Sequence, residues 1–266
     1  MNKYKKIFGI GFQNALEYRI DFIIGLFSMF FPIFIQINMW IAIFMNSDKE
    51  VIYNYTLPQM ICYVILAGLI SKVMTTNVEY EIMADIKDGG LNKFIVRPIN
   101  YLLYRIVENL GSKCAQFFIV YIFITIAIVS SAAIFSMKFS IQMFLLFFAV
   151  IFFSVILKLV MAVLISSLSF WLGETWAAFM MLDVIINVMS GGMFPLDIFG
   201  ENFVNVVQYL PFQYTIYFPI QILTRQVEIK DIMIGLLVQA VWILIFVVFN
   251  KLIWNRGMKV YISAGG

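Results

Sequence analysis

The stretch TNVEYEIMADIKDGGLNKFIVRP, residues 76–98, is the most charged run of a chain in which only 12% of the residues are charged. It lies between two apolar segments that are each long enough to cross a bilayer. Thr76 and Glu79 have the spacing of a capping box, and Gly89 and Gly90 supply the backbone freedom that ends a helix. The pattern therefore predicts a short helix that begins near Thr76 and ends at the glycine pair.

The predicted helix has one apolar face and one acidic face. The apolar face carries residues at four-residue spacing, Val78, Ile82 and Ile86. The acidic face carries Glu81, Asp85 and Asp88. At a membrane surface, such a helix is either a connector that lies on the headgroups or a docking element for a soluble partner. These residues alone leave both interpretations open.

The composition places the chain among multi-pass membrane proteins. Of its 266 residues, 63% are hydrophobic, and the mean hydropathy of +0.95 is too high for a single soluble core. The net charge of +3 does not favour nucleic-acid binding. Because the sequence contains no histidine, histidine-based acid–base chemistry and histidine metal sites are excluded. Cys62 and Cys114 form no CxxC pair, and we interpret them as packing residues.

Residues 1–20 are predicted to form an interfacial N-terminal helix with Lys3, Lys5 and Lys6 on its polar side. A plain basic flank of the first membrane span is the alternative interpretation, and it gives the same orientation. No small-residue cleavage site follows the first apolar run, so we expect no removable signal peptide.

Six apolar segments are predicted to span the membrane: residues 22–44, 57–74, 114–135, 141–164, 171–189 and 232–249. Residues 190–223 precede the last span and contain Pro211 and Pro219, so we predict a broken, external re-entrant or surface pair of helices there. Most Lys and Arg residues lie in the two terminal flanks and between Lys72 and Lys113. This asymmetry predicts that both termini and residues 76–98 are cytoplasmic.

Polar residues within the predicted spans are candidates for function. Lys158 and Asp183 lie well inside two spans, where an unpaired charge costs about 2.5–3.5 kcal/mol on insertion scales. Each is therefore expected to pair or to contact water, and a role in lining a polar route remains open. Glu174 lies at the cytoplasmic edge of a span and is interpreted as an interface residue.

No motif for covalent chemistry is present in the sequence. It contains no GxxxxGK[ST] phosphate-binding loop, and no carboxylate pair stands in a recognisable catalytic motif. We therefore expect no enzymatic activity, no bound cofactor and no metal site in this chain.

Several short motifs resemble those of a known transporter family. They are EIMADI at residues 81–86, GL at 90–91, VRP at 96–98, GG at 191–192 and FP at 194–195. Together with the order of the predicted spans, they resemble the permease subunit of ABC exporters of the type-2 superfamily. The bacterial group found beside a daunorubicin-resistance-like ATPase is the most similar.

The resemblance implies an all-α polytopic membrane protein in which residues 1–266 form one transmembrane permease domain. Residues 76–98 would be the coupling segment that docks on a cytoplasmic ABC ATPase dimer, and the ATPase would hold ATP and Mg. The implied docking residues are Val78, Glu81, Ile82, Asp85, Ile86, Asp88 and Arg97. The implied external gate consists of Gly191, Gly192, Phe194 and Pro195.

The resemblance also implies partners and a location. A second permease copy or a sister permease would complete the transporter in a bacterial cytoplasmic membrane, in contact with lipids. The implied substrate is amphipathic or hydrophobic, such as a drug, a peptide or a lipid-like molecule. A channel that works without ATP and a membrane anchor or immunity protein remain alternatives. An intramembrane enzyme is disfavoured by the absence of histidine.

Overall fold

The structure, a computed structural model, describes residues 2–17, 19–135, 141–172, 175–225 and 227–261, and about 81% of the chain is helical. The helices are α1 (Asn2–Glu17), α2 (Arg19–Met45), α3 (Leu57–Met74), α4 (Val78–Lys87), α5 (Asn92–Ile95), α6 (Tyr101–Phe135), α7 (Ile141–Ser166), α8 (Trp176–Met189), α9 (Glu201–Val207), α10 (Tyr217–Thr224) and α11 (Ile229–Val260). Short 3₁₀ turns cover Ser167–Phe170, Leu196–Phe199 and Phe212–Tyr214. The fold is that of an all-α multi-pass membrane protein.

Four helical stretches of the described chain are long and apolar enough to cross a membrane: Ile23–Met45, Leu57–Lys87, Gln142–Phe170 and Ile229–Val260. Helix α8 is apolar but has only 14 residues. At about 1.5 Å per residue it is about 21 Å long, less than the apolar thickness of a bilayer. It begins at Trp176, whereas the predicted span begins at residue 171, and a 3₁₀ turn at Ser167–Phe170 separates the end of α7 from it. The six-span layout stays a prediction.

Helix α1 packs closely against the first half of α6. A Cβ atom at Gly11 would overlap the backbone carbonyl of Glu108, and one at Gly111 would overlap that of Phe8. The Ser112 hydroxyl donates a hydrogen bond to the Gly11 carbonyl at 2.8 Å. The two glycines therefore let the helix backbones meet without intervening side chains.

A small hairpin connects α2 to α3. Strands β1 (Val51–Ile52) and β2 (Tyr55–Thr56) pair antiparallel, with Tyr53 and Asn54 between them at φ angles of 51° and 65°. Two consecutive residues with positive φ are typical of a type I′ hairpin turn. No element is predicted between the spans at residues 22–44 and 57–74, so the hairpin is an additional feature.

The stretch at residues 209–223 is broken, as predicted. A 3₁₀ turn follows Pro211, and a separate helix, α10, follows that turn. Pro219 does not break α10, because it lies in the first turn, where its missing amide proton has no helical partner. Most residues of α10 are buried, so this helix enters the bundle rather than lying on its surface.

Polar contacts hold the turn before α10 inside the bundle. The Tyr214 carbonyl accepts hydrogen bonds from the Ser154 hydroxyl at 2.7 Å and from the Gln239 side-chain amide at 2.9 Å. Both donors are fully buried, on α7 and α11. The three elements are therefore joined at a point that water does not reach.

Candidate functional site

Helix α4 begins differently from the predicted capping box. Asn77 precedes the helix, and the Thr76 hydroxyl accepts a hydrogen bond from the Val78 amide at 3.2 Å. The Glu79 side chain faces the bundle interior with 7% exposure, and its Oε2 atom has no hydrogen-bond partner among the described residues. The capping-box prediction is wrong because Asn77, and not Thr76, is the N-cap residue, and its side chain makes no capping hydrogen bond. Gly89 has a φ of 76°, which confirms the predicted glycine stop.

Arg105 of α6 binds three carboxylates, two on the acidic face of α4 and one on α6 itself. Its Nη1 atom lies 2.9 Å from Glu81 Oε2 and 3.2 Å from Glu108 Oε2, and its Nη2 atom contacts Asp85 Oδ2. The Tyr101 hydroxyl donates to the same Asp85 oxygen at 2.6 Å. We call these five residues the Arg105 cluster. The cluster fixes α4 onto α6 within one chain.

The predicted docking residues divide into two groups. The buried ones are Val78, Ile82, Asp85 and Ile86. The exposed ones are Glu81, Asp88 and Arg97. The expectation that Asp85 meets a basic group of a partner needs correction, since its carboxylate is 8% exposed at the residue level and already binds Arg105.

The most accessible part of residues 76–98 begins at Ile95, the last residue of α5. Ile95 is 56% exposed and Val96 is 82% exposed, and Arg97 follows directly. These three residues, named the tip surface, present apolar side chains beside a positive charge. The sequence motif VRP includes Val96 and Arg97 of this surface. Most of the predicted docking residues lie on α4 instead, because its acidic face is the stronger sequence pattern.

Lys158 and Asp183 form a salt bridge between α7 and α8, with Nζ and Oδ1 2.9 Å apart. Both residues line a cavity of about 100 Å³, together with Ser71, Thr76 and Thr215 among others. The two residues therefore pair and also border a polar cavity, and a role in lining a polar route stays a prediction. Glu174, the third polar candidate, lies outside the described residues.

Glu79 adds a carboxylate beside this salt bridge. A small void of about 10 Å³, close to the volume that one water needs, is lined by Glu79, Lys158 and Asp183 among others. Helix α4 thus reaches the Arg105 cluster on one side and this small void, beside the Lys158–Asp183 salt bridge, on the other.

The predicted gate residues lie at the turn between α8 and the following 3₁₀ helix. Gly191 has a φ of 79°, and a Cβ atom there would lie 2.8 Å from the Tyr63 hydroxyl oxygen. That hydroxyl donates to the Gly191 carbonyl at 2.7 Å. A Cβ atom at Gly192 would overlap the Asn187 side chain, Phe194 is half-buried and Pro195 is buried. The turn is therefore tightly packed, and its role as a gate stays a prediction.

Asp197 joins this turn to the hairpin and to α10. Its Oδ2 atom accepts hydrogen bonds from the hydroxyls of Tyr55 and Tyr217, both at 2.9 Å, and lies 3.0 Å from Arg225 Nη2. Burial first, and then the Asp197 charge, raises the pKa of Tyr55 to about 12, so this hydroxyl keeps its proton and donates. No local sequence pattern indicates these contacts, because Tyr55 is far from Asp197 along the chain.

Replacing Asp197 by asparagine is expected to loosen the packing of α10. The change removes the ion pair with Arg225 and weakens two hydrogen bonds to a charged acceptor, which should cost about 1–3 kcal/mol. Hydrogen exchange of residues 196–225 in the solubilised protein should speed up accordingly. Asp48→Asn, in the exposed loop before the hairpin, serves as the control. Equal protection of α10 in Asp197→Asn and the wild type would contradict the prediction.

A comparison with known protein families identifies the family of the chain. The family described as ABC-2 family transporter protein matches the chain over residues 18–265. Comparisons with curated proteins and with solved structures gave no match. The matched region contains the Arg105 cluster, the tip surface, the polar cavity and the Asp197 contacts. The chain therefore belongs to the ABC-2 family of transporter proteins and is a permease-type membrane component of an ABC transporter.

Proposed function

We propose that this chain is the transmembrane subunit of an ATP-driven exporter, powered by a separate cytoplasmic ABC ATPase. The observation that carries the proposal is the tip surface, in which Ile95 and Val96 are exposed beside Arg97 on a segment that α6 holds in place. An apolar patch with a basic rim suits a soluble protein partner.

Helix α4 connects the tip surface to the interior of the bundle, so it transmits a displacement of that surface inward. Its Asp85 side is bound to α6 through Arg105, and its Glu79 side borders the small void at Lys158 and Asp183, two residues that also line the larger cavity. Displacement of the tip by nucleotide binding in the ATPase would shift α4 as a unit, because Val78 and Ile82 are fully buried. The cavity would then change shape around the substrate.

The substrate class in this proposal is an amphipathic or hydrophobic molecule. The cavity combines a salt bridge and hydroxyl side chains with apolar groups such as Met74 and Ile186. Its volume of about 100 Å³ is below the range of about 300–1,000 Å³ that is usual for ligand pockets. A second permease copy or a sister permease would therefore enlarge the translocation route.

Replacing Val96 by aspartate is expected to remove the ATPase without unfolding the permease. Val96 is 82% exposed, so the change leaves the bundle intact but introduces a charge into the proposed contact. Loss of about 1.4 kcal/mol in binding lowers the affinity about tenfold. The measurement is the amount of ABC ATPase and of ATP hydrolysis that co-purify with the tagged chain from native membranes.

Val51→Asp provides a matched control, because Val51 is an exposed valine in the hairpin. It should keep both the ATPase and its hydrolysis. Normal co-purification with Val96→Asp would contradict docking at the tip surface. If the wild-type chain carries no ATPase, solute flux without ATP would favour the channel, and absence of flux would favour the membrane anchor.

A further inference from the structure

A groove lies at the end of the bundle that carries the tip surface. Its walls come from the segment at residues 91–100, the first turns of α6, the α7 helix and the last third of α11. The groove has a volume of about 670 Å³, within the range of about 300–1,000 Å³ that is usual for ligand sites. It is distinct from the cavity at Lys158 and Asp183.

The walls of the groove are mainly apolar. They include Leu102, Ile106, Val163, Val247 and Met258. Trp254 also lines it and stacks on Tyr101 with a ring-centroid distance of 5.3 Å. Val247 is 49% exposed, so the groove continues onto the apolar outer face of α11. A hydrocarbon chain could enter from the membrane along this face.

The charged residues that line the groove are basic. Arg97 and Lys251 are both exposed, and neither forms a salt bridge within the described part of the chain. Among the described lining residues, none is acidic. The groove therefore combines apolar walls with uncompensated positive charge, which is the complement of an anionic amphiphile.

Asn250 is a buried polar residue in the wall of the groove. This residue is 5% exposed and lines the groove, and its Nδ2 atom donates to the Val160 carbonyl at 2.8 Å. Its Oδ1 atom has no hydrogen-bond partner among the described residues. This oxygen is itself shielded from solvent, so Asn250 is held by its bond to Val160, and the charge selectivity of the groove rests on Arg97 and Lys251.

We propose that the groove binds an anionic phospholipid, such as phosphatidylglycerol. An acyl chain lies along the apolar walls, and the phosphate is attracted by Arg97 and Lys251. A lipid fits better than a soluble phosphate ester, because most of the lining is apolar and opens onto the outer face of α11.

Quenching of Trp254 fluorescence by brominated lipids tests this proposal. The other tryptophans, Trp40, Trp171, Trp176 and Trp242, are replaced by phenylalanine, and the full-length protein is reconstituted in phosphatidylcholine vesicles. Phosphatidylglycerol with brominated acyl chains, added as a minor component, should quench Trp254 several-fold more strongly than brominated phosphatidylcholine at the same fraction. Equal quenching by the two lipids would overturn the proposal.

Charge-reversal variants test the basic residues. Each basic residue near an anionic lipid strengthens binding by about fivefold, so Lys251→Glu should weaken selective quenching by at least about that factor. Lys259→Glu, on the same helix but outside the groove, should keep it. Equal loss in both variants would show general surface attraction and overturn a specific site.

Two further experiments test the shape of the groove and whether its phosphate ligand is a lipid or a soluble ester. Ile106→Phe adds volume to an apolar wall without changing charge, and it should also weaken selective quenching. Soluble glycerol 3-phosphate should leave the quenching unchanged. Displacement of the brominated lipid by this ester would assign the groove to a soluble ligand and overturn the lipid proposal.

Discussion

Replacing Arg105 by alanine is expected to destabilise the protein by about 3–5 kcal/mol, the usual cost of removing one partner from a buried ion pair. The side chain of Arg105 is only 14% exposed, and that of Asp85 only 10% exposed. Without the guanidinium, Asp85 keeps a buried charge beside two other carboxylates, Glu81 and Glu108. Thermal unfolding of the purified protein, followed by tryptophan fluorescence, should show a clear decrease in the transition temperature.

Lys93→Ala is the matched control for Arg105→Ala. The Lys93 Nζ atom lies 3.8 Å from the same Asp85 carboxylate, but the lysine side chain is 56% exposed. Solvent screens such a pair, so its loss should cost about 0–1 kcal/mol. Similar unfolding temperatures for the two variants would contradict a structural role for the Arg105 cluster.

A charge reversal on the acidic face of α4 is expected to affect folding as well as docking, because Glu81 and Asp85 belong to the Arg105 cluster. Asp85→Lys places a second cation beside Arg105 in a site with little water. It should therefore disturb the packing of α4 on α6, and loss of a partner would follow from that disturbance. Substitution at Val96 separates docking from folding, because that side chain is exposed.

Gly11→Ala is expected to displace α1 from α6. The added methyl group would overlap the Glu108 backbone carbonyl, which cannot move without shifting the helix. Forcing extra volume into a close contact costs about 1–3 kcal/mol. A disulfide engineered between α1 and α6 should form more slowly in this variant, and the unfolding temperature should fall.

Gly9→Ala gives a control on the same helix, since a Cβ atom at Gly9 has no other atom within 4 Å. In a helix interior, alanine is favoured over glycine by about 1 kcal/mol, so this variant should be slightly stabilised. If both variants change stability in the same direction and by the same amount, α1 is not held by the glycine contact.

The sequence predicted features that depend on local chemistry. The helical membrane class follows from composition, the end of α4 follows from the conformational freedom of Gly89, and the break near residue 211 follows from proline. In each case the physical cause lies within a few residues of the feature.

Features that depend on contacts between residues far apart in the sequence could not be predicted in this way. The acidic face of α4 is visible in the sequence, but nothing local shows that Arg105 of the same chain binds it. The same holds for Asp197, whose partners Tyr55 and Arg225 are separated along the chain. Lys158 and Asp183 could be recognised as candidates because charges within spans are costly, whereas their pairing required the relative placement of α7 and α8.

The burial of α10 has a consequence for how the protein is made. This helix belongs to the last quarter of the chain, yet residues such as Ile220 and Ile222 are fully buried in the centre of the bundle. Until the ribosome has synthesised it, α3 and α7 have no contact surface in that position. We expect the earlier helices to complete their packing only once α10 has been made, since α10 contacts both α3 and α7.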